Sequence, residues 1–254
     1  MQFVDLGQMS FEEALARQEV VPGRIADGGL EETVHFVEHP HTFTIGPSGD
    51  AANLLAGQDW EGRPIDLVRT GRGGDITYHG PGQLVCYPHL DLRRRGRDVH
   101  LYLRRLEEAL IGTASAFGIE SYRRPGLTGV WTGEGKLASI GVGVRRWVTL
   151  HGFALNVATD LQYFQLIHPC GLSGCPVTSL SKLLERSVTL VEVRPIVQQQ
   201  LVLAFGHRKE SGIRSQESGR GEQRRAQSPR SGRRNREAGG IGRQEAGIRK
   251  MKTL

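Results

Sequence analysis

At 254 residues the chain is long enough for one sizeable domain or two small ones, and no run of 18 apolar residues offers a membrane-spanning helix. The net charge of +6 is unevenly placed: residues 207–254 hold 14 Lys and Arg against 5 Glu, leaving residues 1–206 at −3. A nucleic-acid-binding reading therefore rests on the basic tail alone, and the body is excluded from it.

The first predicted element is a helix. Ser10 followed by Glu13 has the pattern of a capping box, and Phe11, Ala14 and Leu15 recur at helical spacing up to about Val20. Residues 33–46 are rich in β-branched and aromatic side chains and are interrupted by Pro40, which predicts two short strands or one bent strand. Residues 47–63 read as a polar loop. A strand over Ile65–Val68 then feeds a glycine-rich loop, Arg69–Gln83, and Leu84–Leu92 resumes as a strand. From Val99 to Phe117 the apolar set Leu103, Leu106, Leu110 and Phe117 follows helical spacing, with Gly118 placed to end it.

After Arg124-Pro125-Gly126 come four short strands: Gly129–Thr132, Lys136–Val144, Trp147–Leu150 and Phe153–Val157. The turn Gly133-Glu134-Gly135 makes the first pair a hairpin. Consecutive strands with short turns imply antiparallel pairing. Val177 opens another helix and Val193–Phe205 a last one. The fold class expected is α+β, a mixed, mostly antiparallel sheet with helices on one side. Beyond Gly206 the composition turns to Arg, Gly, Ser, Glu and Gln, so residues 1–206 are expected to form the domain and 207–254 a disordered tail.

Three cysteines, Cys86, Cys170 and Cys175, form no CxxC pair, which argues against a disulfide framework or a structural zinc site. With an N-terminus that has neither a basic nor a long apolar region, a soluble, cytoplasmic protein without a metal is expected. Cys86, inside an apolar strand, reads as core. Cys170 lies between Pro169 and Gly171, which suits a shaped turn displaying a thiol. A thiol needs its pKa of about 8.5 lowered to act as a nucleophile at neutral pH, and a neighbouring ammonium does that. Spacing alone does not choose between Cys170 and Cys175. Lys136, His79 and His151 are polar candidates, although a lysine after a Gly-Glu-Gly turn is ordinarily a solvated hairpin residue and a lone histidine ordinarily structural.

The glycine loop lacks the Gly-Lys-Ser/Thr of a P-loop, and Ile76 breaks a dinucleotide fingerprint. Its glycines permit close approach of backbone to a ligand, which favours a ligand-lining loop in which Arg72 is structural.

Several blocks together resemble one family, the lipoyl (octanoyl) transferases. They are Glu38-His-Pro40, Phe43-Thr-Ile-Gly46, Arg72-Gly-Gly-Asp-Ile-Thr-Tyr-His-Gly-Pro-Gly-Gln-Leu-Val85, Gly129-Val-Trp131, Lys136-Leu-Ala-Ser-Ile-Gly141, Arg146-Trp-Val-Thr-Leu-His-Gly-Phe-Ala-Leu-Asn-Val157, Pro169-Cys-Gly171 and Val177-Thr-Ser-Leu180. The likeness covers about residues 5–206. It implies the catalytic fold shared with biotin and lipoate protein ligases. It also implies transfer of octanoyl from octanoyl-acyl carrier protein to a lysine of a lipoyl domain, as the first step of endogenous protein lipoylation. Acceptors are the lipoyl domains of 2-oxoacid dehydrogenase complexes and the glycine cleavage H protein.

In that resemblance Cys170 forms the acyl-thioester and Lys136 lowers its pKa. Substrate binding falls to Arg72, Gly73, Gly74, Asp75, Ile76, Thr77, Tyr78 and His79, to Ser139, Ile140 and Gly141, and to Gly152, Phe153 and Ala154. No cofactor and no ATP are implied, because the acyl group arrives as a thioester on the phosphopantetheine of acyl carrier protein. A monomer without membrane or nucleic-acid partners is expected, with Arg72, Arg145 and Arg146 forming a basic rim for acidic partner domains. The alternatives are an ATP-dependent lipoate or biotin ligase of the same fold and, more remotely, a nucleic-acid-binding protein using the tail.

A chain ending at Gly206 is expected to keep transferase activity. A folded 1–206 protein that has lost it contradicts this division of the chain.

Overall fold

In the computed structural model, which describes residues 1–55, 59–60, 62–168 and 174–206, the chain begins with strand β1 (Gln2–Gln8) and helix α1 (Phe11–Ala26). Ser10 caps the helix as expected, its Oγ accepting the Glu13 N–H at 3.1 Å. The helix continues past Val20 through Pro22. Val21 and Ile25 pack with Val148, and that burial outweighs the one hydrogen bond a proline cannot donate.

Strands β2 (Thr33–Glu38) and β3 (Thr42–Ile45) flank Pro40 and enter different sheets. A 3-10 turn (Ala51–Asn53) and a ribbon of β4 (Asp59–Trp60) and β5 (Arg63–Pro64) occupy the expected loop region. Next come β6 (Asp66–Arg69), β7 (Ile76–His79) and β8 (Gln83–His89), then α2 (Val99–Ala116). The glycine-rich stretch is therefore not all loop, since β7 pairs antiparallel with β3. The chain continues through β9 (Tyr122–Arg124), β10 (Leu127–Thr132), β11 (Gly135–Arg145), β12 (Val148–Asn156), α3 (Leu180–Leu183) and α4 (Leu190–Phe205). The two strands expected over 147–157 form the single strand β12. The helix expected from Val177 begins at Leu180, because Val177 bridges to Lys136 instead.

The main sheet has the order β1-β2-β8-β12-β11-β10-β9, antiparallel throughout except for β1 with β2, and the order β6-β3-β7 makes a smaller second sheet. Alternation along the strands sends side chains to two different cores. Phe36, Leu84, Cys86, Phe153 and Leu155 pack with α2 and α4. Val37, Val85, Tyr87 and Ala154 face the other way and pack with Ala14 of α1. The helices thus cover both faces, not one. The sequence pattern does not distinguish these cases, because a strand buried on both faces is apolar at every position.

Glu107 of α2 is fully buried, bonded to Arg104 and Arg123, and its Oε1 accepts the N–H of Gly129 on β10 at 3.2 Å. This contact fixes the strand beside Lys136. Among the described residues no helix is long and apolar enough to cross a membrane, and the tail beyond Gly206 lies outside them.

Candidate active site

One cavity gathers most of the residues singled out by sequence. Its floor is the α1-facing side of β8, β11 and β12, its roof is the loop between β6 and β7, and Phe11 of α1 contributes to the wall. About 520 Å³ of non-atom space lies between floor and roof, part of it open to solvent.

The floor follows from register. Ser139 pairs with Ala154, Ile140 with Phe153 and Gly141 with Gly152, while Ala154 pairs on its other side with Val85. At Gly141 a Cβ would lie 2.8 Å from the Gly73 carbonyl oxygen and 3.0 Å from Cδ of Arg72, so only glycine lets the loop lie this close. The Gly73 N–H donates to the Val142 carbonyl at 2.9 Å and ties roof to floor.

Arg72 is 7% exposed and turned inward. Its Nε and Nη2 donate to Thr44 Oγ1 at 3.1 and 2.9 Å, Nη2 also donates to the Thr44 carbonyl, and Nη1 donates to the Gly73 carbonyl at 3.2 Å. This geometry corrects the expected basic rim. Arg72 is interior, and Arg146 is paired with Asp27 at 2.6 Å, leaving Arg145 exposed at that edge. Asp75 lines the cavity too, while its Oδ1 accepts the N–H groups of Asp50 and Ile76 and shapes the neighbouring turn.

Alternation along β7 divides its residues. Thr77 and His79 face the cavity, Ile76 lines it in part, and Tyr78 does not line it. Tyr78 is instead buried in the smaller core, its ring stacked on Tyr163 at 4.9 Å and its hydroxyl 2.7 Å from His41 Nδ1. Its neighbour His79 starts a polar chain. His79 Nδ1 is 2.8 Å from Gln83 Oε1, Gln83 Nε2 donates to Asn156 Oδ1 at 2.9 Å, and Asn156 Nδ2 donates to the Thr178 carbonyl at 3.0 Å. Because Gln83 presents its oxygen, Nδ1 of His79 is the protonated nitrogen.

Lys136 stands at the start of β11, 4% exposed, with Nζ 5.4 Å from the centre of the Trp131 ring. Its N–H donates to the Pro176 carbonyl at 2.8 Å, and its carbonyl accepts the Thr178 N–H at 3.0 Å. The stem passes over Gly129, where a Cβ would come within 2.8 Å of Lys136 Cε. Cys170 and Gly171 lie outside the described residues, but both flanks are placed. The His168 N–H donates to the Asn53 carbonyl at 2.8 Å, and Val177 bridges to Lys136. Cys175 lines a different hollow with Leu161, Phe164 and His168. Cys86 is buried in the core, and burial pushes its thiol well up.

The sequence reading missed four wall residues as ligands: Phe11, Val85, Tyr87 and His151. Val85 and Tyr87 were discoverable from period-two alternation along β8. Phe11 carried no such signal, and His151 stood out in the sequence only as a polar candidate that is ordinarily structural.

The residues 10–202 match the model of the lipoyl protein ligase A/B catalytic domain. The chain is 55% identical over 194 residues to an octanoyltransferase of Geobacter metallireducens, covering 76% of this chain and 88% of that one. It is 54% identical over 179 residues to an octanoyltransferase of Solibacter usitatus, covering 70% and 81%. The chain belongs to the octanoyltransferase family. Its fold matches that of lipoate-protein ligase A bound with ATP, with a TM-score of 0.66 at 19% identity over 80% of this chain and 84% of that one. A bipartite lipoate protein ligase from Thermoplasma acidophilum matches with a TM-score of 0.60 at 19% identity, over 80% and 82%. At such identities the likeness establishes the shared ligase-like fold.

Burial lowers the pKa of His39 and His151 to about 4 and of His79 to about 3, with the Arg72 charge pushing His79 and His151 the same way. Each is neutral when folded at pH 7 and takes a proton more readily when unfolded. The stability this contributes is complete above about pH 6.5 and is lost as pH falls toward 4, at up to roughly 1.4 kcal/mol per histidine per pH unit. Thermal melting between pH 7 and pH 4.5 is expected to show a steadily falling Tm. A constant Tm over that range contradicts the buried neutral histidines.

Proposed function

We propose that the chain moves octanoyl from octanoyl-acyl carrier protein to the ε-amine of a lysine on lipoyl domains, through a thioester on Cys170 with Lys136 as its proton partner. The observation that carries this reading is the clamp of the Pro176–Thr178 segment onto the backbone of Lys136. Cys170 lies six positions before Pro176, a stretch of chain that spans at most roughly 20 Å. The glycine-floored cavity leading away from Lys136 supplies a slot for an aliphatic chain, lined by Val85, Tyr87 and Ala154.

The Cys170 thiolate attacks the carrier thioester carbonyl. The tetrahedral intermediate collapses by breaking the carbon–sulfur bond to phosphopantetheine, whose sulfur leaves and takes a proton supplied through Lys136. Carrier protein departs, and the neutral ε-amine of the acceptor lysine attacks the acyl-Cys170 carbonyl. An amide forms, the nitrogen gives its proton back to Lys136, and Cys170 leaves as thiolate. Thioester exchange is nearly balanced and thioester to amide runs downhill, so no ATP enters. Both partners are substrates of this scheme, the acceptors being lipoyl domains of 2-oxoacid dehydrogenase complexes and the glycine cleavage H protein.

Intact-protein mass after incubation with octanoyl-acyl carrier protein is expected to rise by one octanoyl group in the wild type and in Cys175→Ser, and not in Cys170→Ser. Lys136→Ala is expected to slow adduct formation roughly 100-fold or more. An adduct mapped to Cys175 overturns the assignment.

A further inference from the structure

We propose that His151 is the stop that fixes the acyl chain at eight carbons, an inference that rests on the octanoyl transfer proposed above. The imidazole occupies its place through an unusual backbone. Along β12, residue 151 pairs with Val142, and regular alternation points both toward the core under α2 and α4, where Val142 packs. His151 has φ 56° instead, and its ring turns to the cavity face. There Nε2 lies 3.4 Å from Thr70 Oγ1, and the ring meets Tyr87 edge-on. A left-handed conformation at a residue with a Cβ is strained and persists where the surroundings hold it. The Gln18 side chain does so here, its buried Oε1 accepting the His151 N–H at 2.9 Å.

The spacing suits an eight-carbon chain. The stem of Lys136 reaches Gly129, which neighbours Val130, the partner of Ala138, so its amine lies level with Ser139. From Ser139 to Val142, opposite His151, is three residues, about 10 Å along a strand. An extended octanoyl group, seven carbon–carbon bonds of about 1.5 Å in a zigzag, spans roughly 9 Å. A chain whose carbonyl sits by Lys136 therefore ends at the imidazole. The ring is uncharged at neutral pH and tolerates a methyl group against it.

Beyond the ring lies a second hollow whose lining combines Leu15, Ile45, Val144 and Leu150 with the charged Glu19, Arg69 and Arg145, and His151 borders both spaces. A Cβ on Gly143 would be 3.5 Å from His151 Cδ2, so the far side of the ring faces that hollow. Removing the imidazole joins the two, and the longer path is aliphatic on much of its wall.

The test uses the full chain and carrier protein loaded with six- to fourteen-carbon acyl groups, following adduct formation by intact mass. His151→Gly relieves the backbone, since glycine accepts φ 56°, and His151→Asn keeps a residue that tolerates the same region with a shorter side chain. The ratio of dodecanoyl to octanoyl kcat/KM is expected to rise roughly tenfold or more in His151→Gly and by less in His151→Asn. Adding Leu150→Trp to His151→Gly, which refills the second hollow, is expected to bring the ratio back down. Folded His151→Gly and His151→Asn proteins that form octanoyl adducts with the wild-type chain-length profile overturn the inference and leave the transferase reading intact. A wild type that forms no acyl adduct at any length contradicts that reading itself.

Discussion

The site depends on the contact between a loop and a sheet with no side chain between them. The β6–β7 loop lies against β11 because Gly141 presents only backbone, and the Gly73–Val142 hydrogen bond holds it there. Arg72 braces that loop from behind by placing its guanidinium on Thr44 of β3, so the loop that lies on the large sheet is also anchored to the small one. A buried guanidinium is costly unless its donors are matched, and the Thr44 and Gly73 oxygens match them. The same charge helps keep His79 and His151 neutral, so the arginine shapes the electrostatics of the cavity without entering its chemistry.

A second set of contacts carries this order to the strand that bears Lys136. The chain from His79 through Gln83 and Asn156 ends on the Thr178 carbonyl, while the Thr178 N–H is held by Lys136. One residue thus receives the roof of the cavity on its oxygen and the strand bearing the lysine on its nitrogen. Such a buried, fully connected chain is rigid, because each lost partner leaves a desolvated polar group. Glu107 extends the arrangement to the far side of Lys136 by fixing Gly129, over which the lysine stem passes. The fold therefore positions the lysine from three sides through backbone and buried polar contacts.

Much of this was legible in the sequence. Ser10 and Gly118 mark helix ends through local chemistry, and the strands of the β10–β12 meander follow from their short turns. What escaped reading was decided by tertiary packing. α1 runs through Pro22 because Val21 and Ile25 are buried, and the four residues of β7 gain strand structure only by pairing with β3. Tyr78 was read with its neighbours as a ligand contact, yet a two-residue period sends it to the opposite side of Thr77 and His79. His151 is the reverse case, where a positive φ overrides alternation and brings a residue into the cavity. Choosing Cys170 over Cys175 was beyond local sequence as well. The ordered family blocks made that choice, and Cys170 itself lies outside the described residues.

The most direct test of the account is single-turnover transfer from an isolated acyl-enzyme. The protein is charged with octanoyl-acyl carrier protein, freed of donor, and mixed with a lipoyl domain in the absence of ATP. Covalent transfer through Cys170 predicts that the octanoyl mass leaves the enzyme and appears as an amide on one lysine of the acceptor in near-equal amount. An octanoyl group that stays on the enzyme, or that moves only when ATP is added, contradicts it.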